Sequence, residues 1–546
     1  MHIVPSFKAA VIQFEPQLLD ARANLSRLTN MLGDAARLGA RLAVLPEMAA
    51  TGCRIGSREA AVALAETVPG PTTQAFGEIA ARLSMYVVMS LPEVDADTGA
   101  FYHAAVLLGP SGVVGKYRKV HLSPLEAAWA TAGNLGLPVF ETPLGRISMV
   151  LGGDAEYFES CRVPALRGAD VVCLPTACPG KAPLASWRSR ALENGVYLLV
   201  ADAWGWQGDA VFAGWSLIVS PRGEVIASID SGDGVAAGLL NVRDSRDKRV
   251  PAFGDLMGIR RPEEYHGVLI NPYLWERPTV SGLPGSRETA VRVFQFDPEP
   301  GNPRRNAAEM AVMLEESWSE SPAGIVVFPE LSTTGIVDGP DMPELAETVP
   351  GPLVDRLTEL AAEFDTHIAV GMVEADEYGR AYNAAVLLEP GGVVGVYRKT
   401  HLNEYDRTWA TSGNLDLPCF DIPAGRVGIV LGSEILVPEL ARCLAKKGAD
   451  IILCPSSWCW NVWDFVLHDR ARTNDCYLAV AGHARGHAGR SVIIGDPGSQ
   501  ETAYVLGPQG WATLKVSTAG GSFCRRKEML RGVQPVWYDA IARKRG

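Results

Sequence analysis

Three places in the sequence set ionisable or nucleophile-bearing positions at the ends of apolar runs. Leu45-Pro46-Glu47 closes one run and Phe328-Pro329-Glu330 closes another. A Glu just past a strand tip, behind a Pro, is positioned to face the end of a sheet. Taken singly, such a Glu reads more readily as an ordinary surface carboxylate, and its reappearance in both places favours a site. Tyr117-Arg118-Lys119-Val120-His121-Leu122 is echoed by Tyr397-Arg398-Lys399-Thr400-His401-Leu402. A Lys beside a partly buried Glu can hold it ionised or stabilise an oxyanion; on its own it is as readily a solvated strand-end Lys. The third place is a strand that stops at small residues and turns toward a helix, 147–152 and 427–432, the layout of a nucleophile elbow. An elbow needs a nucleophilic atom at its tip, and Gly152 and Gly432 carry none.

These segments come in pairs because the chain repeats itself. Gly112–Leu122 maps onto Gly392–Leu402, and Trp129–Pro138 onto Trp409–Pro418, both at an offset of 280. Glu66–Pro71 and Glu347–Pro352 differ by 281, and Glu47 and Glu330 by 283, the drift that small loop insertions produce. Such collinear matches mean one large domain used twice. A chain of 546 residues exceeds what one hydrophobic core usually supports, so two domains also fit the length. The Gly- and Pro-rich stretch 266–287 marks the seam, with domains over 1–270 and 288–546, the second degenerate after about residue 486.

Within the first copy, strand-like runs at 9–14, 41–46, 85–91, 104–109, 147–152, 170–175 and 196–201 alternate with helical spacing at 21–40 and 72–83. That alternation predicts an α/β sheet covered by helices, and the Pro-Ser-Gly turn before Gly112 predicts a hairpin in a mixed sheet. The formal charge of -12 lacks the basic footprint a nucleic-acid partner needs. Neither a membrane-spanning run nor a signal segment stands out, so no membrane partner and a cytoplasmic address are expected. The ten cysteines form no CxxC pair, and no His/Cys/Asp cluster has zinc spacing, so neither a metal nor a cofactor is expected.

Taken together, these motifs resemble the nitrilase, or carbon–nitrogen hydrolase, superfamily. The resemblance rests on Leu45–Glu47 and the residues after it, the YRK-x-HL segment, the glycine-flanked elbow strand, Gly168-Ala169-Asp170, Arg190–Asn194 and the hairpin 212–227. It implies two tandem four-layer α-β-β-α sandwiches packed as an intramolecular pseudo-dimer, with further self-association through the sandwiches possible. It also implies a Glu–Lys–Cys triad acting on an amide or nitrile carbon. Carried onto this chain, the Glu is Glu47 or Glu330, the Lys is Lys119 or Lys399, and the supporting carboxylate is Glu126 or Asp406. The family's Cys position falls on Gly152 and Gly432, which leaves thioester chemistry without its nucleophile.

Four readings follow. The protein is a pseudoenzyme that binds a small polar amide-, nitrile- or amine-like ligand. Alternatively, the Glu–Lys pair does chemistry directly, most readily in the first copy. In a third reading a relocated thiol, Cys178 or Cys459, substitutes for the missing one, with Ser433 a weaker candidate. In the fourth, the chain is an assembly component whose partner supplies the chemistry.

Overall fold

The computed structural model describes residues 6–251, 253–272, 287–457, 463–484, 491–495, 501–518 and 530–544. The chain forms two compact units, residues 1–248 with 532–541, and residues 249–531 with 542–546. Each unit contains two six-stranded mixed sheets.

In the first unit one sheet runs, edge to edge, Gly234–Asn241, Ser6–Gln13, Ala40–Val44, Tyr86–Val94, Phe101–Gly109 and Gly112–Arg118. Its middle is parallel, with Ala9 opposite Leu42 and Leu42 opposite Tyr86, while the expected hairpin pairs Ala105 with Tyr117. Ala10, Ile12 and Phe14 alternate onto the face where Leu28, Leu32, Phe76 and Ile79 of the helices Ala21–Arg37 and Pro71–Leu83 pack. The second sheet runs Val225–Ile229, Ser216–Val219, Tyr197–Asp202, Val171–Thr176, Gly145–Met149 and Val139–Thr142. The helices Phe158–Leu166 and Leu184–Asn194 accompany it, and its strands also meet the first sheet face to face. The result is helix, sheet, sheet, helix. Strands buried on both faces explain why the runs read as nearly continuous apolar sequence.

The second unit repeats this plan with one sheet that includes Glu288–Gln295 and another that includes Ile451–Ser456. Strands Val492–Ile494, Thr502–Tyr504 and Gly510–Ser517 extend its two sheets beyond residue 486, where the sequence alone reads as degenerate. Among the described residues, no helix is long and apolar enough to cross a membrane.

The unit boundaries differ from a simple cut near residue 270, because the segment 249–272 belongs with the second unit. There the Tyr265 hydroxyl meets His401 Nε2 at 2.6 Å, and Lys446 Nζ donates to the Val268 and Ile270 carbonyls at 2.8 Å. The first unit is completed instead by 532–541, where the Tyr538 hydroxyl lies 2.6 Å from His121 Nε2. His121 Nδ1 is 2.8 Å from Asp154 Oδ1, so the partners assign Nδ1–H as donor to the carboxylate and Nε2 as acceptor from Tyr538. Of the same strand-end segment, His121 sits in this network and Arg118 pairs with Glu93 and Asp95. Replacing Tyr538 by Phe leaves the buried His121 Nε2 without a donor. We expect a loss of about 1–3 kcal/mol, read as a lower urea midpoint for the transition of the first unit.

Candidate functional site

Each candidate side chain is delivered by a backbone that is pinned on several sides. Past Ala40–Val44, the Leu45 N–H continues the ladder onto the Val88 carbonyl at 2.9 Å. The Glu47 N–H then crosses to the other sheet and donates to the Thr176 carbonyl at 3.3 Å, while the Met48 N–H donates to Ser90 Oγ at 2.7 Å. Lys119 follows Gly112–Arg118 and keeps its register through a 2.8 Å bond from its N–H to the His103 carbonyl. Glu126 belongs to the short helix Pro124–Ala127. Its Oε2 accepts from the Ser123 N–H at 2.8 Å in a capping box, which leaves Oε1 facing the site.

These three residues meet. Lys119 Nζ donates to Glu126 Oε1 at 2.5 Å and to Glu47 Oε1 at 3.1 Å. His103, which the motif comparison passed over, completes the cluster with Nδ1 at 2.8 Å from Glu126 Oε1 and 3.6 Å from Glu47 Oε1. Burial alone would drive the Lys119 ammonium toward neutrality, but the Glu47 and Glu126 carboxylates outweigh it and hold its pKa above the ordinary lysine value. Burial likewise works to raise Glu126, and the Lys119 charge with the His103 contact overcomes it, holding that carboxyl well below its usual range. Glu47 Oε2 has no hydrogen-bond donor among the described residues.

The elbow lies directly beneath Glu47. The turn Gly152–Glu156 follows Gly145–Met149, and its Asp154 ties the elbow to the Lys119 strand. Asp154 Oδ2 accepts from the Leu151 N–H at 3.2 Å and from the Tyr117 hydroxyl at 2.7 Å, and Oδ1 accepts from the His121 N–H at 3.0 Å. Gly152 has a φ of +43°, a region costly for residues with a Cβ. A Cβ added there would lie 2.6 Å from Glu47 Oε2 and 2.8 Å from Oε1. The Glu47 carboxylate therefore fills the space directly above the elbow tip.

The second unit assembles the same cast with different contacts. Lys399 Nζ lies 2.7 Å from both Glu330 Oε1 and Asp406 Oδ2. Asn383 replaces His103, and its Nδ2 donates to Glu330 at 2.8 Å and to Asp406 at 2.9 Å. Glu330 Oε2 accepts from the Ser457 N–H at 2.9 Å and from the Ser457 hydroxyl at 2.7 Å. Burial would raise Glu330, but the Lys399 charge and these donors bring it below its usual range, whereas burial prevails at Asp406 and raises it. Glu434 takes the role of Asp154, bonded by the Tyr397 hydroxyl and the Leu431 N–H. Gly432 repeats the positive φ, at +49°, and a Cβ there would meet Glu330 Oε2.

The other candidates stand apart from this geometry. Cys178 follows Val171–Thr176, with its N–H on Asp202 Oδ1 at 2.9 Å and its sulfur 3.4 Å from Thr176 Oγ1. Burial, reinforced by Asp202, pushes the Cys178 thiol well above its ordinary pKa, the opposite of what a reactive thiolate needs. Cys459 lies outside the described residues. Ser433 is fully buried, and its hydroxyl has no partner among the described residues. Side-chain ligand atoms of Glu47, His103 and Glu126 lie within 4.8 Å of one another, a spacing a divalent cation could use. The Lys119 ammonium already bridges both carboxylates and fills the cation's part there.

A family model described as carbon-nitrogen hydrolase matches residues 8–247 and matches again over 290–519. The chain belongs to the carbon-nitrogen hydrolase family. It carries that family's domain twice, and each relative covers about half of it. A nitrilase from Pyrococcus abyssi is 34% identical over 260 residues, 47% of this chain and 98% of that protein. An omega-amidase from Homo sapiens is 29% identical over 269 residues, 45% of this chain and 94% of its own. Among solved structures, an amidase from Nesterenkonia sp. is 28% identical with a TM-score of 0.39, covering 44% of this chain and 93% of that one. The carbon-nitrogen hydrolase domain thus accounts for both pairs of sheets.

Three features of the two sites were missed in the sequence. His103 and Asn383 differ directly before the shared AAVLL run, so aligning the copies one residue further would have found them. Ser457 stands where the first copy has Ala177, judged from the strand ends Thr176 and Ser456. Tyr265 and Tyr538 share a Pro-x-x-Tyr spacing that the drifting offset between the copies conceals.

The Glu126 environment makes a pH prediction. Its carboxyl, ordinarily near 4.5, sits well below that in the folded chain. Below about pH 4.5 the unfolded chain binds a proton that the folded one does not, so this share of stability is present above that pH and is lost in acid. Glu126→Gln is therefore expected to flatten the fall of the denaturation midpoint below about pH 4.5, measured by urea titration across that range.

Proposed function

We propose that this protein is a carbon-nitrogen hydrolase family member that works without thioester chemistry, binding a small polar amide-, nitrile- or amine-like ligand in its first unit. The observation that carries this reading is the elbow. On the motif resemblance the family's Cys position corresponds to Gly152 and Gly432, and in support of that reading the Glu47 carboxylate occupies the direction in which a side chain would leave Gly152. Without a thiolate there, no acyl–sulfur bond can form at that position. Cys178 is a poor substitute because burial holds its thiol protonated.

The choice of the first unit rests on the unequal satisfaction of the two Glu residues. Glu330 is 0% exposed and both of its oxygens are engaged, whereas Glu47 is 5% exposed and keeps one acceptor oxygen without a donor. That oxygen suits an N–H of an amide or amine, and Lys119 suits a carbonyl oxygen. The solved Nesterenkonia amidase variants include one described as carrying an acetamide moiety on its active site cysteine. A ligand of that chemical class is a reasonable first probe here.

The same free oxygen favours one alternative, in which Glu47 takes a proton from water that attacks the ligand directly. Calorimetric titration with acetamide, butyramide and propionitrile separates the two readings, alongside an assay for released ammonia. Binding that is lost in Glu47→Gln and Lys119→Ala, with no ammonia released, is the expected result. Ammonia release that survives thiol alkylation but disappears in Glu47→Gln would establish the direct mechanism instead. Absence of binding to every probe would count against both.

A further inference from the structure

The second unit holds a nucleophile–base pair that the family comparison does not assign. We propose that Ser457 is a nucleophile activated by Glu330, able to accept an acyl group from donors with good leaving groups. The inference goes beyond ligand binding in the first unit and stands on different residues.

The hydroxyl of Ser457 donates to Glu330 Oε2 at 2.7 Å, within the range for a nucleophile poised on its base. Its backbone N–H donates to the same oxygen at 2.9 Å, so the residue is held by two bonds. The base is oriented in turn. Lys399 Nζ and Asn383 Nδ2 hold Glu330 Oε1 at 2.7 and 2.8 Å, which directs Oε2 toward Ser457. This is the chain of nucleophile, base and orienting group that hydroxyl nucleophiles require. Accessibility divides in the sense that chemistry needs: Glu330 and Lys399 are fully buried, and Ser457 is only half-buried. The arrangement is confined to the second unit, because Ala177 at the matching strand end has no hydroxyl.

The chemistry of the base also selects the substrate class. Burial works to raise Glu330, but the Lys399 charge and the donated hydrogen bonds keep it ionised and only weakly basic. A weak base assists attack best where the leaving group departs easily, which means activated esters and thioesters rather than simple amides. In the step, Ser457 Oγ forms a bond to the acyl carbon, the carbonyl π pair moves onto its oxygen, and the hydroxyl proton passes to Glu330 Oε2. Collapse of that intermediate breaks the bond to the leaving group, which departs with the electron pair and takes the proton from Glu330. Water then attacks the acyl carbon and gives a proton to Glu330, which returns it to Ser457 as the carboxylic acid leaves.

The test is to incubate the full chain with p-nitrophenyl acetate, follow release of p-nitrophenol, and map acetylation by peptide mass spectrometry. A burst of about one equivalent, with acetyl on the peptide containing Ser457, is expected. Glu330→Gln should slow acylation by roughly a hundredfold or more, and Cys178→Ala should leave the burst as it is. No acetylation at Ser457, or an undiminished burst in a folded Ser457→Ala chain, overturns the proposal. If Ser457→Ala does not fold, Ser457→Cys decides: acetyl recovered as a hydroxylamine-labile thioester supports the pair, and an unmodified thiol refutes it. Ligand binding in the first unit can fail without affecting any of these outcomes, and the converse also holds.

Discussion

A buried ammonium between two carboxylates is the constraint on which each half of this protein is organised. Lys119 touches Glu47 and Glu126, and Lys399 touches Glu330 and Asp406, all buried except Glu126, which keeps a partial exposure to water. Losing one member would strand a charge in the interior, at a cost of about 3–5 kcal/mol. The fold answers by fixing the backbone of every member. Glu47 is tied to the opposite sheet, Lys119 to the neighbouring strand, and Glu126 to its own helix cap. The elbow is bound to the same assembly through Asp154, or Glu434 in the second half.

The halves differ in what surrounds that ammonium. In the first, a His sits against the carboxylates and one Glu oxygen remains available. In the second, an amide and a serine consume the remaining acceptor positions. Duplication supplied two identical starting sites, and a handful of substitutions around a common ion cluster gave them different environments. His103 against Asn383, and Ala177 against Ser457, carry most of that difference.

Much of this was legible in the sequence because strands buried on both faces leave long apolar runs, and because a repeat doubles every signal. Glu47, Lys119 and Glu126, grouped beforehand only by the family resemblance, lie together in the fold. The hairpin at Gly112 was legible from its turn residues. Satisfaction of individual oxygen atoms was not, since whether Glu330 Oε2 is free depends on a serine far away in sequence. Nor was the position of the Glu carboxylates above the two glycines, which depends on rotamers rather than letters. The true composition of the units was hidden for a related reason. Tyr538 and His121 are 417 residues apart, and no local pattern announces a partner at that distance.

That last feature governs how the molecule must be made. Residues 532–541 belong to the first unit although its sheets end by residue 248. At translation rates of about 5–20 residues per second, the first sandwich leaves the ribosome roughly 15–60 seconds before its final piece. During that interval His121 lacks its hydroxyl partner, and the surface that the tail later covers stays open. Completion of the N-terminal half thus waits on residues 532–541, which are made only after residues 249–531 of the second unit.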